Sequence, residues 1–160
     1  MKKKLNMIFE WVRWISIIAA IQIGYYSYFS DTIQDKFQIV VLILILSISG
    51  LSGIESMFLS KEASKITGYK PSGYQRQNAL FFFALTLTGI IIFILKWSLQ
   101  AHMTALFVLL IFLLFSSINH LYSVLKEGTA AFRNIWLRFF ASLLLIGAML
   151  PIIIKVLSIM

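Results

Sequence analysis

Along the chain, long apolar stretches are separated by short polar ones. Five stretches approach or exceed twenty residues: about Met7 to Tyr28, Phe37 to Phe58, Asn78 to Leu95, Thr104 to Leu125 and Ile135 to Leu157. Their polarity does not alternate with period two; Ile39-Val40-Val41-Leu42-Ile43-Leu44 is apolar on every side. About 20 apolar residues in helix cross a bilayer core of about 30 Å. Hydrocarbon admits only helices and closed barrels, and barrel strands would alternate. The pattern therefore predicts an all-α fold, a polytopic membrane helix bundle with five transmembrane helices. It forms a single transmembrane domain over 1–160, with helices at about 7–28, 37–66, 73–96, 104–127 and 130–157.

The connections carry their own signals. The second helix is expected to run on through Ser60-Lys61-Glu62-Ala63-Ser64-Lys65 and stop at Gly68, which suits the left-handed residue after a helix. Pro71 then sets a turn, and Ser72-Gly73-Tyr74-Gln75 has the spacing of a capping box. The loop from Ser98 to Met103 holds His102, expected to be solvated. The tight Gly128-Thr129 connection predicts that the fourth and fifth helices pack as an antiparallel hairpin. Pro151 predicts a kink in the fifth.

Composition narrows the class. Apolar residues make up 60% of the chain and charged ones 12%, against roughly 45–50% and ~25% in soluble domains. That excludes a water-facing globular surface, an isolated disordered chain and a DNA-binding domain. With no cysteine there is no disulfide framework and no thiolate metal site. The net charge of +8 falls in clusters between apolar runs, a pattern that suits lipid headgroups and not nucleic acid. With the N-terminus cytoplasmic, eleven of the 14 basic residues lie inside, leaving Lys36, Lys96 and Lys155 outside. Five spans then place the C-terminus outside. Lys2-Lys3-Lys4 before an apolar stretch resembles a signal peptide. Glu10 and Arg13 interrupt that stretch and no small-x-small site follows, so the first helix reads as uncleaved, anchored by Trp11 and Trp14.

Polar residues inside apolar spans are the candidates for function, because hydrocarbon does not solvate them. In the fourth helix Ser116, Asn119, His120, Ser123 and Glu127 share one face. Hydrogen bonding between helices and a ligand or proton site both explain such a stripe. Ser49, Ser52, Gly53 and Ser56 form a small-residue face on the second helix, suited to close packing. Glu55 beside it is expected either to pair with Arg76 or Arg133 or to accept protons. Glu55, Gln77, Asn78, Asn119, His120, Arg133 and Asn134 all fall at inner helix ends, where a bundle can gather them into one cytoplasm-facing cleft. Arg133 and Arg138 oppose the dipole at the start of the fifth helix, which calls for lipid phosphate, Glu127 or a bound anion nearby.

Catalytic signatures are missing: no His-Glu-x-x-His, Walker loop, Gly-x-Ser-x-Gly or CxxC. Two histidines at opposite ends of the bundle do not make a bis-His haem site, and neither metal nor cofactor is expected.

From Gly53 to about Pro151 the chain resembles a family of small bacterial multi-helix inner-membrane proteins, a domain of unknown function. The resembling residues are Gly53-Ile54-Glu55, Ala63 and Ile66-Thr67-Gly68-Tyr69 with Pro71-Ser72 and Gln75, then Asn119-His120 and Arg133-Asn134. The resemblance implies candidate positions and no chemistry, and the first span lies outside it.

The expectation from all of this is a membrane protein whose cytoplasm-facing polar pocket handles a proton or a small polar or anionic solute, by transport or binding. One alternative is an intramembrane enzyme acting on a lipid or isoprenoid, with Glu55 and His120 as acid and base. Another is a structural subunit of a larger membrane complex. Membrane lipids, and a homo-oligomer or larger complex, are the expected partners, with no nucleic acid.

Overall fold

The computed structural model describes residues 2–30, 32–59, 73–127 and 132–160, and of these the backbone alone at 2, 3, 73–75, 123, 124, 127 and 132–138. Five long helices account for nearly all of them: α1 (Lys2–Tyr28), α2 (Ile33–Phe58), α3 (Gly73–Ile94), α4 (Leu99–Glu127) and α5 (Phe132–Leu157). All five are long and apolar enough to cross a membrane. The expected extension of the second helix to Lys65, its stop at Gly68, Pro71 and Ser72 lie outside the described residues, and so does the side chain of Gln75.

Three helices begin earlier than expected: α1 at Lys2 in place of Met7, α2 at Ile33 in place of Phe37 and α4 at Leu99 in place of Thr104. Hydropathy marks the apolar centre of a helix, whereas backbone hydrogen bonds carry its ends into polar sequence. His102 thereby moves from the expected loop into the first turns of α4, where it is buried. Its Nδ1 lies 3.2 Å from the carbonyl oxygen of Ser98. The expectation of a solvated His102 is corrected accordingly. α5 runs through Pro151 without ending.

On α1, Asn6, Glu10, Arg13, Ile17, Ala20, Gly24 and Ser27 recur at alternating steps of four and three and are all buried or half-buried. Trp11, Ile15 and Ile18 between them are exposed. The helix is thus polar and small inward and apolar outward, the inverse of a soluble helix. A Cβ built on Gly24 would sit 2.5 Å from Ile152 Cδ1, which shows how closely α1 approaches α5 there. α4 also packs on α5, as expected; their connection lies outside the described residues.

α2 is the central element, packed on each of the other four. Phe37, Val40, Val41, Leu44 and Ile45 are its fully buried apolar residues. From Ile45 to Gly50 it is a π-helix, in which each turn holds about one residue more than in an α-helix. One residue is about 100° of rotation. A plain α-helix would continue the buried face of Leu44 through Ile48 and Leu51 to Glu55. Across and after the π turn Ile48, Ser49 and Gly53 are buried and Ser52, Glu55 and Ser56 half-buried. Gly53 then packs against α3, where an added Cβ would meet the Phe83 ring at 3.3 Å. This is the close approach expected of the small-residue face.

α3 ends in a Schellman motif. Trp97 N–H donates to Ile92 O at 3.0 Å and Lys96 N–H to Phe93 O at 3.2 Å. Lys96 carries the left-handed conformation, φ 51°, where glycine is usual. Lys96→Gly is expected to stabilise the protein by about 0.5–1 kcal/mol, the side-chain strain relieved less the extra chain entropy of glycine. A raised Tm in detergent checks this; an unchanged or lowered one would show that the lysine is not strained.

Candidate functional site

At the end of the bundle where α1 begins and α2 and α4 finish, the helices part around a cavity of about 310 Å³. All five contribute to its wall. α1 supplies Glu10, Arg13, Trp14 and Ile17, and α2 supplies Ile48, Ser52, Glu55 and Ser56. From α3 come Asn78 and Phe82, and from α5 Ala141, Ser142 and Leu145. The α4 side is Phe112, Leu113, Ser116, Ser117 and His120. Trp14 and Asn78 are exposed members of this wall, so the mouth opens beside them.

Ser52, Glu55 and Ser56 lie at i, i+3 and i+4 of α2 and reach the cavity together, while Gly53 packs against α3. One wall is aromatic and interlocked. Phe112 stacks on Phe81 with ring centroids 4.8 Å apart and meets Phe82 edge-on at 5.0 Å, arrangements that hold the rings in fixed orientations. Ser117 Oγ is turned back on its own helix and donates to Leu114 O at 2.8 Å.

The electrostatic centre is Arg13. Its Nη2 donates to Glu55 Oε2, and its Nη1 lies 3.4 Å from Glu10 Oε1. The Arg13 and Glu55 side chains are only 14% and 12% exposed, so each charge depends on the other for compensation. Even so, Arg13 Nε and Glu55 Oε1 are buried with no hydrogen-bond partner. Buried polar atoms are rarely left so. Both atoms belong to residues of the cavity wall.

Of the residues expected at a cytoplasmic cleft, the structure brings Glu55, Asn78 and His120 to this cavity. Gln77 and Asn119 are exposed and absent from its wall. Asn119 follows from helix geometry: the cavity takes the Ser116, Ser117 and His120 face, and Asn119 is turned about 100° from His120. The side chains of Ser123, Glu127, Arg133, Asn134 and Arg138 lie outside the described residues. The structure pairs Glu55 with Arg13, which the sequence reading did not name as a partner; of the two expected, Arg76 is exposed and the side chain of Arg133 lies outside the described residues.

Sequence reasoning missed Arg13, Glu10, Trp14 and Ser142 as site residues. For Arg13 and Glu10 a signal was present. They continue the four-three repeat of small and polar residues that marks the inner face of α1. Reading them only as breaks in an apolar run hid that periodicity.

A family model described as a family of unknown function (DUF6790) matches residues 5–158. The match takes in α1, which the resemblance read from the sequence had left out. No curated protein and no solved structure matches the chain.

Proposed function

The chain belongs to the DUF6790 family of unknown function, and from its cavity we propose a multi-pass protein of the bacterial inner membrane whose cytoplasm-facing pocket takes up a small polar solute or a proton. Five helices of spanning length and an outer surface rich in exposed Trp, Phe, Leu and Ile support the membrane setting. The basic residues, eleven of 14 on one side, support a cytoplasmic N-terminus and an external C-terminus. The cavity lies at the N-terminal end of α1 and so faces the cytoplasm in that orientation.

The observation that carries the reading is the convergence of Glu55, Arg13 and His120 from three helices on one cavity. Side chains of this kind are expensive in hydrocarbon and mark ligand or proton sites. Arg13 already serves Glu55 and Glu10, so a polar solute has more support than an anion.

Two measurements test the proposal. Reporter fusions after Lys70 and after Met160 are expected to read cytoplasmic and external respectively; the same side at both would overturn the topology. In detergent, small polar solutes are expected to raise Tm saturably. That rise should vanish in Ser116→Phe, which fills the cavity, and in Glu55→Gln and His120→Ala with helical content unchanged. A rise that survives all three variants would place binding elsewhere.

A further inference from the structure

On each helix the cavity lining runs in the same order, polar toward the end of the bundle and apolar toward its middle. One helical turn takes α1 from Arg13 to Ile17, α2 from Ser52 back to Ile48 and α3 from Asn78 to Phe82. The same step takes α4 from Ser116 back to Phe112 and α5 from Ser142 to Leu145. Polarity reaches furthest in on α2, where Ser52 stands beside the contact of Gly53 with Phe82. Deeper than Ser52, the described residues of the wall are all apolar. One turn further in, Ala20, Leu44, Leu109 and Met149 are fully buried in the hydrophobic core and line no part of the cavity. The pocket is therefore blind toward the middle of the bundle.

An apolar floor beneath a polar layer suits an occupant divided in the same way. Water and wholly polar solutes are held where polar groups partner them, so they fill the outer layer and leave the floor empty. An apolar group on the floor removes its own surface and that of the wall from water. From His120 to Phe112 the lining covers eight residues of α4, about 12 Å along the axis, which suits an extended octanol. The volume, about 310 Å³, lies at the small end of ligand pockets. We propose that the pocket holds a short-chain amphiphile lengthwise, its apolar end on the floor and its polar group among Asn78, Ser116, His120 and Ser142. The occupant is oriented like a lipid of the cytoplasmic leaflet, but the closed floor leaves no room for a full acyl chain. This rests on the reading of the cavity as a ligand site and adds the chemical class and the orientation of its occupant.

Two photoreactive octanols read both properties in the detergent-solubilised protein. They differ only in where the diazirine sits, near the hydroxyl in 3-azioctanol and near the tail end in 7-azioctanol. After irradiation, mass spectrometry is expected to find 7-azioctanol on Ile17, Phe112, Leu113 or Leu145. The same measurement should find 3-azioctanol on Glu10, Ser116 or His120. Both signals are expected to fall with excess 1-octanol and to vanish in Ser116→Phe. Protection by 1-hexadecanol is expected to be about tenfold weaker, because its surplus chain has to displace packed core side chains. Equal or stronger protection by 1-hexadecanol would overturn the closed floor and assign a bilayer lipid. Labels in the reverse order, on the same residues for both probes, or on the outer surface alone would overturn the amphiphile. The ligand pocket then still stands if small polar solutes raise Tm in wild type and not in Ser116→Phe. Absence of that Tm response as well would overturn both.

Discussion

Arg13→Leu is expected to destabilise the folded protein by about 3–5 kcal/mol, the usual cost of stranding one member of a buried ion pair. The loss leaves the Glu55 carboxylate at 12% exposure with its Oε1 already unpaired. Glu55→Leu is expected to cost less, because Arg13 keeps Glu10 at 3.4 Å and Glu10 is 38% exposed to solvent. The double variant Arg13→Leu with Glu55→Leu should recover most of the stability lost in Arg13→Leu, since apolar pairs of similar volume often replace buried ion pairs without penalty. SDS titration from mixed micelles, followed by helical content, reads all three. Equal losses in the two single variants, or a double variant that sums them, would mean that the pair is not the coupled unit the structure shows.

Leu144→Arg is expected to cost about 3–4 kcal/mol in membrane insertion, although it removes little packing. Leu144 is 73% exposed and stands at the middle of α5. On a water-facing surface such a substitution usually stays within about 0.5 kcal/mol. At the centre of a spanning helix, arginine costs about 2.5–3.5 kcal/mol and the leucine contribution of a few tenths is also lost. The two settings therefore predict outcomes that differ by several kcal/mol at one position. The membrane-inserted fraction of the variant, measured beside wild type in the same cells, decides between them. Full insertion and unchanged Tm would count against the membrane setting in the proposed function.

Much of the architecture was legible in the chain because one-dimensional hydropathy is a direct record of which segments are apolar throughout. The five helices, the packing of α4 on α5, and the small-residue contact at Gly53 each follow from a local property: run length, connection length or side-chain size. Glu55 and His120 were legible as site candidates for a related reason. Ionisable groups in apolar helices stand out against their surroundings, and their positions near helix ends placed them at one depth.

Other features depend on where helices sit relative to one another, and no single stretch of sequence records that. Arg13 reads locally as a polar interruption, and only the packing of α1 on α2 makes it the partner of a carboxylate 42 positions away. His102 reads as a loop residue until α4 is seen to begin at Leu99 and carry it inward. Within α2, six residues are π-helix, Ile45–Gly50, whose extra residue per turn leaves no mark in composition or hydropathy. Hydropathy along the chain is thus enough to mark five apolar helices and the residues out of place in an apolar environment. The tertiary structure decided which of those residues meet, because an approach between helices is set by rotation about each axis. A single π turn moves that rotation by about 100°.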